Sequence, residues 1–230
     1  MRIWHIPLDP GPHVIARCLD LLDGAERAQV SRLASPELAR RYTVAHGATR
    51  EVLGALVDAR PAGLRYRVGR WGKPELDGYP GLHHNLSHSG EVALLAVSAD
   101  QPVGVDVERL RPSLRARALA DRYFLPAEAR ALARRPQAEQ PWWYQRFWTR
   151  KEACGKASGV PLVVALRFGV YRHAVPPPAE GDAGPCRLAD VATEPGYLAA
   201  VAMLGTEPYD VQHRRWPEQT VHSGGSPDAR

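Results

Sequence analysis

Asp106 and Glu108 stand two residues apart in the stretch Pro102-Val103-Gly104-Val105-Asp106-Val107-Glu108. Alternate residues of an extended strand share a face, so both carboxylates point one way and Val103, Val105 and Val107 the other. Two strand rises put the carboxylates about 6–7 Å apart along the backbone. A third carboxylate about 5 Å away would add roughly 3 kcal/mol of repulsion per pair at an effective dielectric of about 20. A cluster of this kind persists when a cation fills it or when one acid keeps its proton. A hard divalent ion that retains waters and a substrate phosphate suits such oxygens. Taken alone, Asp-x-Glu reads first as an edge strand with a solvated acidic face.

Further chemistry-bearing residues lie on both sides of this strand. Trp148, Glu152 and Lys156 are four residues apart and share one helix face. The ordinary role of Glu152 and Lys156 at that spacing is a surface ion pair. Arg70-Trp71-Gly72-Lys73-Pro74 reads as a turn with Lys73 at its tip. His83 through Gly90 reads as a polar loop whose Asn, Ser and His side chains offer donors to an anion. Its three histidines carry no metal-ligand pattern.

The elements that must position these residues follow from periodicity and end signals. Residues 2–7 and 64–68 suit short strands, and residues 25–33 suit a helix. Ser35-Pro36-Glu37 supplies a cap, a first-turn proline and a first-turn acid for a long amphipathic helix ending near Arg60-Pro61. Arg40, Arg41 and Arg50 project from it, as solvated residues unless other evidence intervenes. The apolar run Val92–Val97 reads as a strand buried on both faces, and the turn at residues 99–102 predicts a hairpin with the acidic strand. Helical segments are expected over residues 113–123 and 126–134, and a stronger one from Glu139 to Gly159 with Trp143, Phe147 and Trp148 as core anchors. Strands are expected over 166–172, 187–191 and 197–204. Both halves run from helix to strands, giving an α+β chain with subdomains 1–101 and 102–216 and a disordered tail at 217–230.

A chain of 230 residues is long enough for a substantial core. The formal charge of +5 favours anionic partners, but the basic residues are scattered and no nucleic-acid-binding signature appears. Three widely spaced cysteines suit a reducing compartment. The start of the chain lacks the plan of a signal peptide and no apolar run could span a bilayer, so a soluble cytoplasmic protein is expected.

In order, the chain reads Gly72-Lys73-Pro74, Asn85-Leu86-Ser87-His88-Ser89, Gly104-Val105-Asp106-Val107-Glu108 and Trp148-Thr149-Arg150-Lys151-Glu152-Ala153 with Lys156. This series resembles the phosphopantetheinyl transferases of the larger, surfactin-type class, from about Ile3 to Leu204. The resemblance implies the 4'-phosphopantetheinyl transferase fold, a monomer of two pseudo-symmetric α+β subdomains with the active site in the cleft between them. It implies transfer of the phosphopantetheine arm of coenzyme A to a serine of apo acyl or peptidyl carrier proteins, with Mg2+ or Mn2+, releasing adenosine 3',5'-bisphosphate. It assigns Asp106, Glu108 and Glu152 to the metal and Glu152 to the serine proton. Lys73, His88 and Lys156 match phosphate ligands of coenzyme A, Lys156 at the pyrophosphate. Arg50 matches a helix arginine near the 3'-phosphate, and Ser87 and Ser89 border the cofactor. His84 stands where the family commonly has phenylalanine. The competing readings are a metal-dependent phosphoesterase acting on another nucleotide, and a non-catalytic protein that binds carriers or coenzyme A.

Overall fold

The computed structural model describes residues 1–178 and 183–217, with the backbone alone at position 70. Apart from Pro217, the tail expected to be disordered lies outside the described residues. Strand β1 (Arg2–Pro7) is followed by helices α1 (Pro12–Leu21), α2 (Gly24–Arg32) and α3 (Pro36–Leu56). Helix α1 starts at Gly11 with no capping side chain, so a reading based on caps passes over it. Helix α3 starts as its signal predicts, with Ser35 Oγ accepting from Leu38 N at 3.2 Å. It stops at Leu56, short of Arg60, because Ala59 N reaches back to Gly54 O across a left-handed Asp58 (φ 51°). That closing turn ends the helical ladder.

Strands β2 (Tyr66–Val68), β3 (Pro74–Leu76), β4 (His83–Ser89) and β5 (Val92–Ser98) complete the first half. The second half runs β6 (Val103–Arg109), α4 (Ala116–Tyr123), α5 (Pro126–Ala133), α6 (Gln140–Ser158), α7 (Leu162–Ala165), β7 (Ala174–Val175), β8 (Cys186–Val191) and β9 (Tyr197–Leu204). The last strand, β10 (Gln212–Arg215), returns to the first half and pairs parallel to β1. The first sheet therefore has the order β10-β1-β5-β4 and the second β6-β9-β8-β7, with β2 and β3 as a separate pair. Residues 212–215 thus belong to the first sheet, although their place in the chain assigned them to the second half.

Each sheet carries one long helix. Val44, Ala48 and Val52 of α3 join Trp4, Ile6, Ala93 and Leu95 in one core, and Phe147, Ala153 and Ala157 of α6 join Leu188, Ala200 and Ala202 in another. Trp143 and Trp148 pack against that second core. A third cluster lies between the sheets, where Ile3, Leu94 and Ala96 meet Val103, Val105, Val107 and Val201. Strand β5 is accordingly buried on both faces, as its apolar run requires.

Three expectations are corrected. Residues 83–89 form a strand rather than a loop, and the turn is confined to its end at Gly90. Strands β5 and β6 do not form a hairpin: β5 pairs with β1 and β4, and β6 pairs with β9. The link at residues 99–102 carries the chain from one sheet to the other. Residues 166–172 are not a strand either. Side chains there take the groups a ladder would use: Lys151 bonds the carbonyls of Leu166 and Phe168, Arg150 that of Val170, and Glu128 the amide of Val170.

Gly104 sets how closely α6 can lie on β6. A Cβ at this position would stand 2.2 Å from Ala153 O and 2.3 Å from Ala157 N. These are backbone atoms of the helix, so relief requires moving it. Gly104→Ala is expected to cost at least about 1–3 kcal/mol, read as a lowered denaturant midpoint. An unchanged midpoint would show that the helix can move outward freely.

Candidate active site

The open edge of β6 faces β4, and the two strands run in the same direction without a backbone ladder between them. Side chains replace it. Asn85 Oδ1 accepts from Val105 N at 2.9 Å, Ser87 Oγ from Val107 N at 3.3 Å, and Ser89 Oγ from Arg109 N at 3.0 Å. The i, i+2, i+4 spacing of Asn85, Ser87 and Ser89 puts all three on one face of β4, matched to alternate amides of β6. This accounts for the polar sequence of β4, which reads as a loop when only hydrophobic patterning is considered.

The serine hydroxyls also hold the acids. Ser87 Oγ donates to Asp106 Oδ1 at 2.9 Å, and Ser89 Oγ to Glu108 Oε2 at 3.2 Å. From α6, Lys156 Nζ lies 2.6 Å from Asp106 Oδ1 and 3.2 Å from Ser87 Oγ. The ion pair of Lys156 is therefore with Asp106 across the fold, not with Glu152 one turn earlier. Gln145, also on α6, fixes the exit of β6: its Oε1 accepts from Arg111 N at 2.6 Å and its Nε2 donates to Arg109 O at 2.7 Å.

Burial raises the pKa of Asp106, opposed by the charge and hydrogen bond of Lys156. Burial and then the charge of Asp106 raise that of Glu108. Burial raises that of Glu152, with Asp106 and Glu108 adding to the rise and Lys156 opposing it. The three carboxylates thus feel one another, and Lys156 is the cation common to all three. Asp106 is 4% exposed, and its Oδ2 is buried without a hydrogen-bond partner.

A sequence model described as "4'-phosphopantetheinyl transferase superfamily" matches residues 102–193, the segment carrying Asp106, Glu108, Glu152 and Lys156. The 4'-phosphopantetheinyl transferase HetI of Nostoc sp. is 32% identical over 208 residues, covering 89% of this chain and 88% of its own. The chain belongs to the 4'-phosphopantetheinyl transferase superfamily. The 4'-phosphopantetheinyl transferase Sfp of Bacillus subtilis is 28% identical over 80% of this chain and 83% of its own, which supports the surfactin-type class. A putative transferase of Synechocystis sp. is 28% identical over 94% of this chain and 92% of its own.

In this transferase Ser87, Asp106 and Lys156 are joined by hydrogen bonds, and Ser89 holds Glu108 on the same strand face. Glu152 lies within electrostatic reach of Asp106, Glu108 and Lys156. His88 projects from the opposite face of β4. Partial burial of its ring, then the charges of His46, Lys156 and Arg41, hold its pKa below the usual imidazole value. Arg41, which pairs with Glu37 at 2.6 Å, and His46, which bonds Glu26 at 3.3 Å, thus lie with Lys156 within electrostatic reach of His88. His46 was not singled out from the sequence, and Arg41 was read there only as a solvated residue of the long helix. The available signal was the position of His46 one turn before Arg50 on the same helix.

Arg50 has a different place. It is 0% exposed. Its Nε donates to Glu26 at 2.6 Å, its NH1 group to the carbonyls of Pro61 and Leu64, and its NH2 group to Asp23. Asp23 and Glu26 are the capping box of α2, and the Tyr66 ring lies 5.1 Å from the guanidinium. With its charge compensated and its surface covered, Arg50 has no free face for a phosphate. In this structure Arg50 ties α2 and residues 61–64 to α3.

Lys73 is also drawn inward from the tip of its turn. Its Nζ donates to Val103 O at 3.0 Å and Ala157 O at 3.1 Å. Ala157 O is among the last carbonyls of α6, which lack helical partners and carry the negative end of the helix dipole. Lys73 thereby joins the start of β6 to the end of α6. It also lines a cavity of about 670 Å³ with Trp71, Tyr79, His84 and Ser158, and none of the three acids lines that cavity. Burial pushes the Lys73 ammonium down to about 8 from 10.5, with Glu75 opposing. Between those values the unfolded chain holds a proton that the native state has released, so this group makes stability rise with pH across that window. Lys73→Met is expected to flatten that rise in thermal midpoints taken from about pH 8 to about pH 10. An identical slope in both proteins would contradict it.

The residues present fit a hard divalent cation in donor type, since every candidate ligand is a carboxylate and Asp106 Oδ2 is buried and free. Among the described residues, no three His, Cys, Asp or Glu side chains converge closely enough to hold an ion. Lys156 supplies the neutralising charge instead. No helix among the described residues is long and apolar enough to cross a membrane.

Proposed function

We propose that this transferase moves the 4'-phosphopantetheine arm of coenzyme A onto a serine hydroxyl of an apo acyl or peptidyl carrier protein in the cytoplasm, with Mg2+ or Mn2+, and releases adenosine 3',5'-bisphosphate. The observation that carries this reading is the pairing of Lys156 on α6 with Asp106 on β6, with Glu108 and Glu152 close enough to influence the same charges. The carrier serine oxygen attacks the phosphorus on the pantetheine side of the pyrophosphate. A new P–O bond forms, the bridging P–O bond breaks, and the adenosine bisphosphate leaves with the bridging oxygen. Glu152, whose pKa burial and the other acids raise against the opposing charge of Lys156, accepts the serine proton.

Asp106, Glu108 and Glu152 would hold the divalent ion, whose chemistry is to neutralise the pyrophosphate oxygens and favour in-line attack. Lys156 is then free to leave Asp106 Oδ1 for the same phosphate oxygens. Arg41 offers positive charge, and His88 a ring N–H donor, to the remaining phosphate. The cavity beside Lys73 offers concave room for an arm of coenzyme A.

Intact-mass measurement of several apo carriers incubated with enzyme, Mg2+ and coenzyme A tests the proposal. The expected result is a gain of one phosphopantetheine unit, abolished by EDTA and restored by excess Mg2+. Release of adenosine bisphosphate without a carrier would instead indicate a phosphoesterase. Binding of carrier or coenzyme A with no mass gain on any carrier would indicate a non-catalytic protein.

A further inference from the structure

A second cavity, of about 930 Å³, lies where β1, β10, α1 and α3 meet, and it shares no lining residue with the cavity beside Lys73. The parallel register of β1 and β10 sets Trp4 opposite Arg214, with Arg2 on the same face of β1 as Trp4 and Trp216 directly after the end of β10. Arg17 enters from α1 and Glu51 from α3. Glu51 Oε2 is already held by Trp216 Nε1 at 3.0 Å and by Arg17 at 3.3 Å. Arg215 also lines the cavity, and among the described residues Arg2, Arg214 and Arg215 have no carboxylate partner. Four guanidinium groups therefore border one concavity whose one carboxylate is already engaged.

Arginine forks match the oxygens of a phosphate two at a time and are less strongly hydrated than ammonium groups. Trp4 and Trp216, 4% and 3% exposed, give the cavity a rigid apolar floor. The volume lies in the range of small-molecule sites, about 300–1,000 Å³. We propose that this cavity is a second anion site, which binds a small phosphate-bearing ligand independently of the transfer site. None of the acids, Lys156 or His88 takes part in it.

The test is isothermal titration of the full-length, metal-free protein with inorganic pyrophosphate and, separately, with adenosine monophosphate. A Lys156→Ala background weakens binding at the transfer site, so the remaining saturable binding reports the second cavity. Adding Arg2→Gln and Arg214→Gln is expected to weaken that binding at least tenfold, while the same pair of substitutions in the otherwise native protein leaves carrier modification unchanged. Both residues are exposed, so the fold is expected to survive, which a thermal midpoint checks. Tighter binding of the nucleotide would identify a nucleotide site, and tighter binding of pyrophosphate a site for the phosphate groups alone. Either supports the proposal. Absence of saturable binding in the Lys156→Ala protein overturns it. So does an equal loss on substituting Arg115 and Arg130, exposed arginines elsewhere, because the effect would then be one of net charge.

Discussion

Glu152→Gln is expected to abolish carrier modification while making the metal-free protein more stable. Glutamine keeps the size and the hydrogen-bonding end of the side chain but can neither accept the serine proton nor lend a full negative charge to a cation. A positioned base contributes about 10²–10⁴-fold, and loss of a metal carboxylate adds to that, so kcat is expected to fall by at least this factor. The stability change has the opposite sign. Burial and the charges of Asp106 and Glu108 raise the pKa of Glu152 in the folded protein, and Lys156 offsets this only in part. A carboxylate whose pKa is raised on folding binds its proton more tightly in the native state. Its ionised form therefore costs stability at every pH above that raised value. Removing the charge is expected to gain on the order of 1 kcal/mol, or about 2–4 °C in thermal midpoint for a chain of this size. The measurement must be made in EDTA, since a bound cation would reverse the sign. A midpoint that falls, or activity within tenfold of native, would remove Glu152 from the proposed role.

Arg50→Met is expected to produce the largest loss of stability of any single substitution considered for this chain, with little effect on the affinity for coenzyme A. Methionine fills a similar volume but leaves Asp23, Glu26 and the carbonyls of Pro61 and Leu64 without their donor. Breaking a buried ion pair from one side costs about 3–5 kcal/mol. Asp23 and Glu26 keep some solvent contact, with side chains 26% and 13% exposed, so about 3 kcal/mol is the better expectation. That corresponds to a midpoint lowered by roughly 6–12 °C. Arg50→Lys is expected to recover only part of it, because an ammonium cannot reproduce the planar fork. At temperatures where Arg50→Met remains folded, the KM for coenzyme A should match the native value. A large rise in that KM with an unchanged midpoint would return Arg50 to the phosphate.

These two residues show where sequence reading succeeds and where it stops. Glu152 is recognisable because its neighbours in Trp148-Thr149-Arg150-Lys151-Glu152 share a local helical spacing, and because the motif order along the chain is specific. Arg50 also fits a motif by local spacing, yet its partners in the fold are Asp23 and Glu26, 27 and 24 residues earlier in the chain. Lys73 repeats the lesson: a lysine in a turn reads as exposed, but Val103 and Ala157, brought together by packing of β6 and α6, draw its ammonium inside.

The sequence by itself determined the family, the ends of α6 and the doubly buried β5, because periodicity, end signals and ordered motifs are local properties. Only the tertiary structure decided that β4 is a strand, that β5 and β6 belong to different sheets, that β10 returns to β1, and that Lys156 pairs with Asp106. Each of these depends on which groups meet across the fold. An amide of β6 takes a serine of β4, and a carbonyl of residues 166–170 takes a lysine or arginine of α6, where a backbone ladder would otherwise form. Hydrogen bonding must be satisfied when backbone is buried, but the pattern of residues along one segment does not say which distant partner will satisfy it.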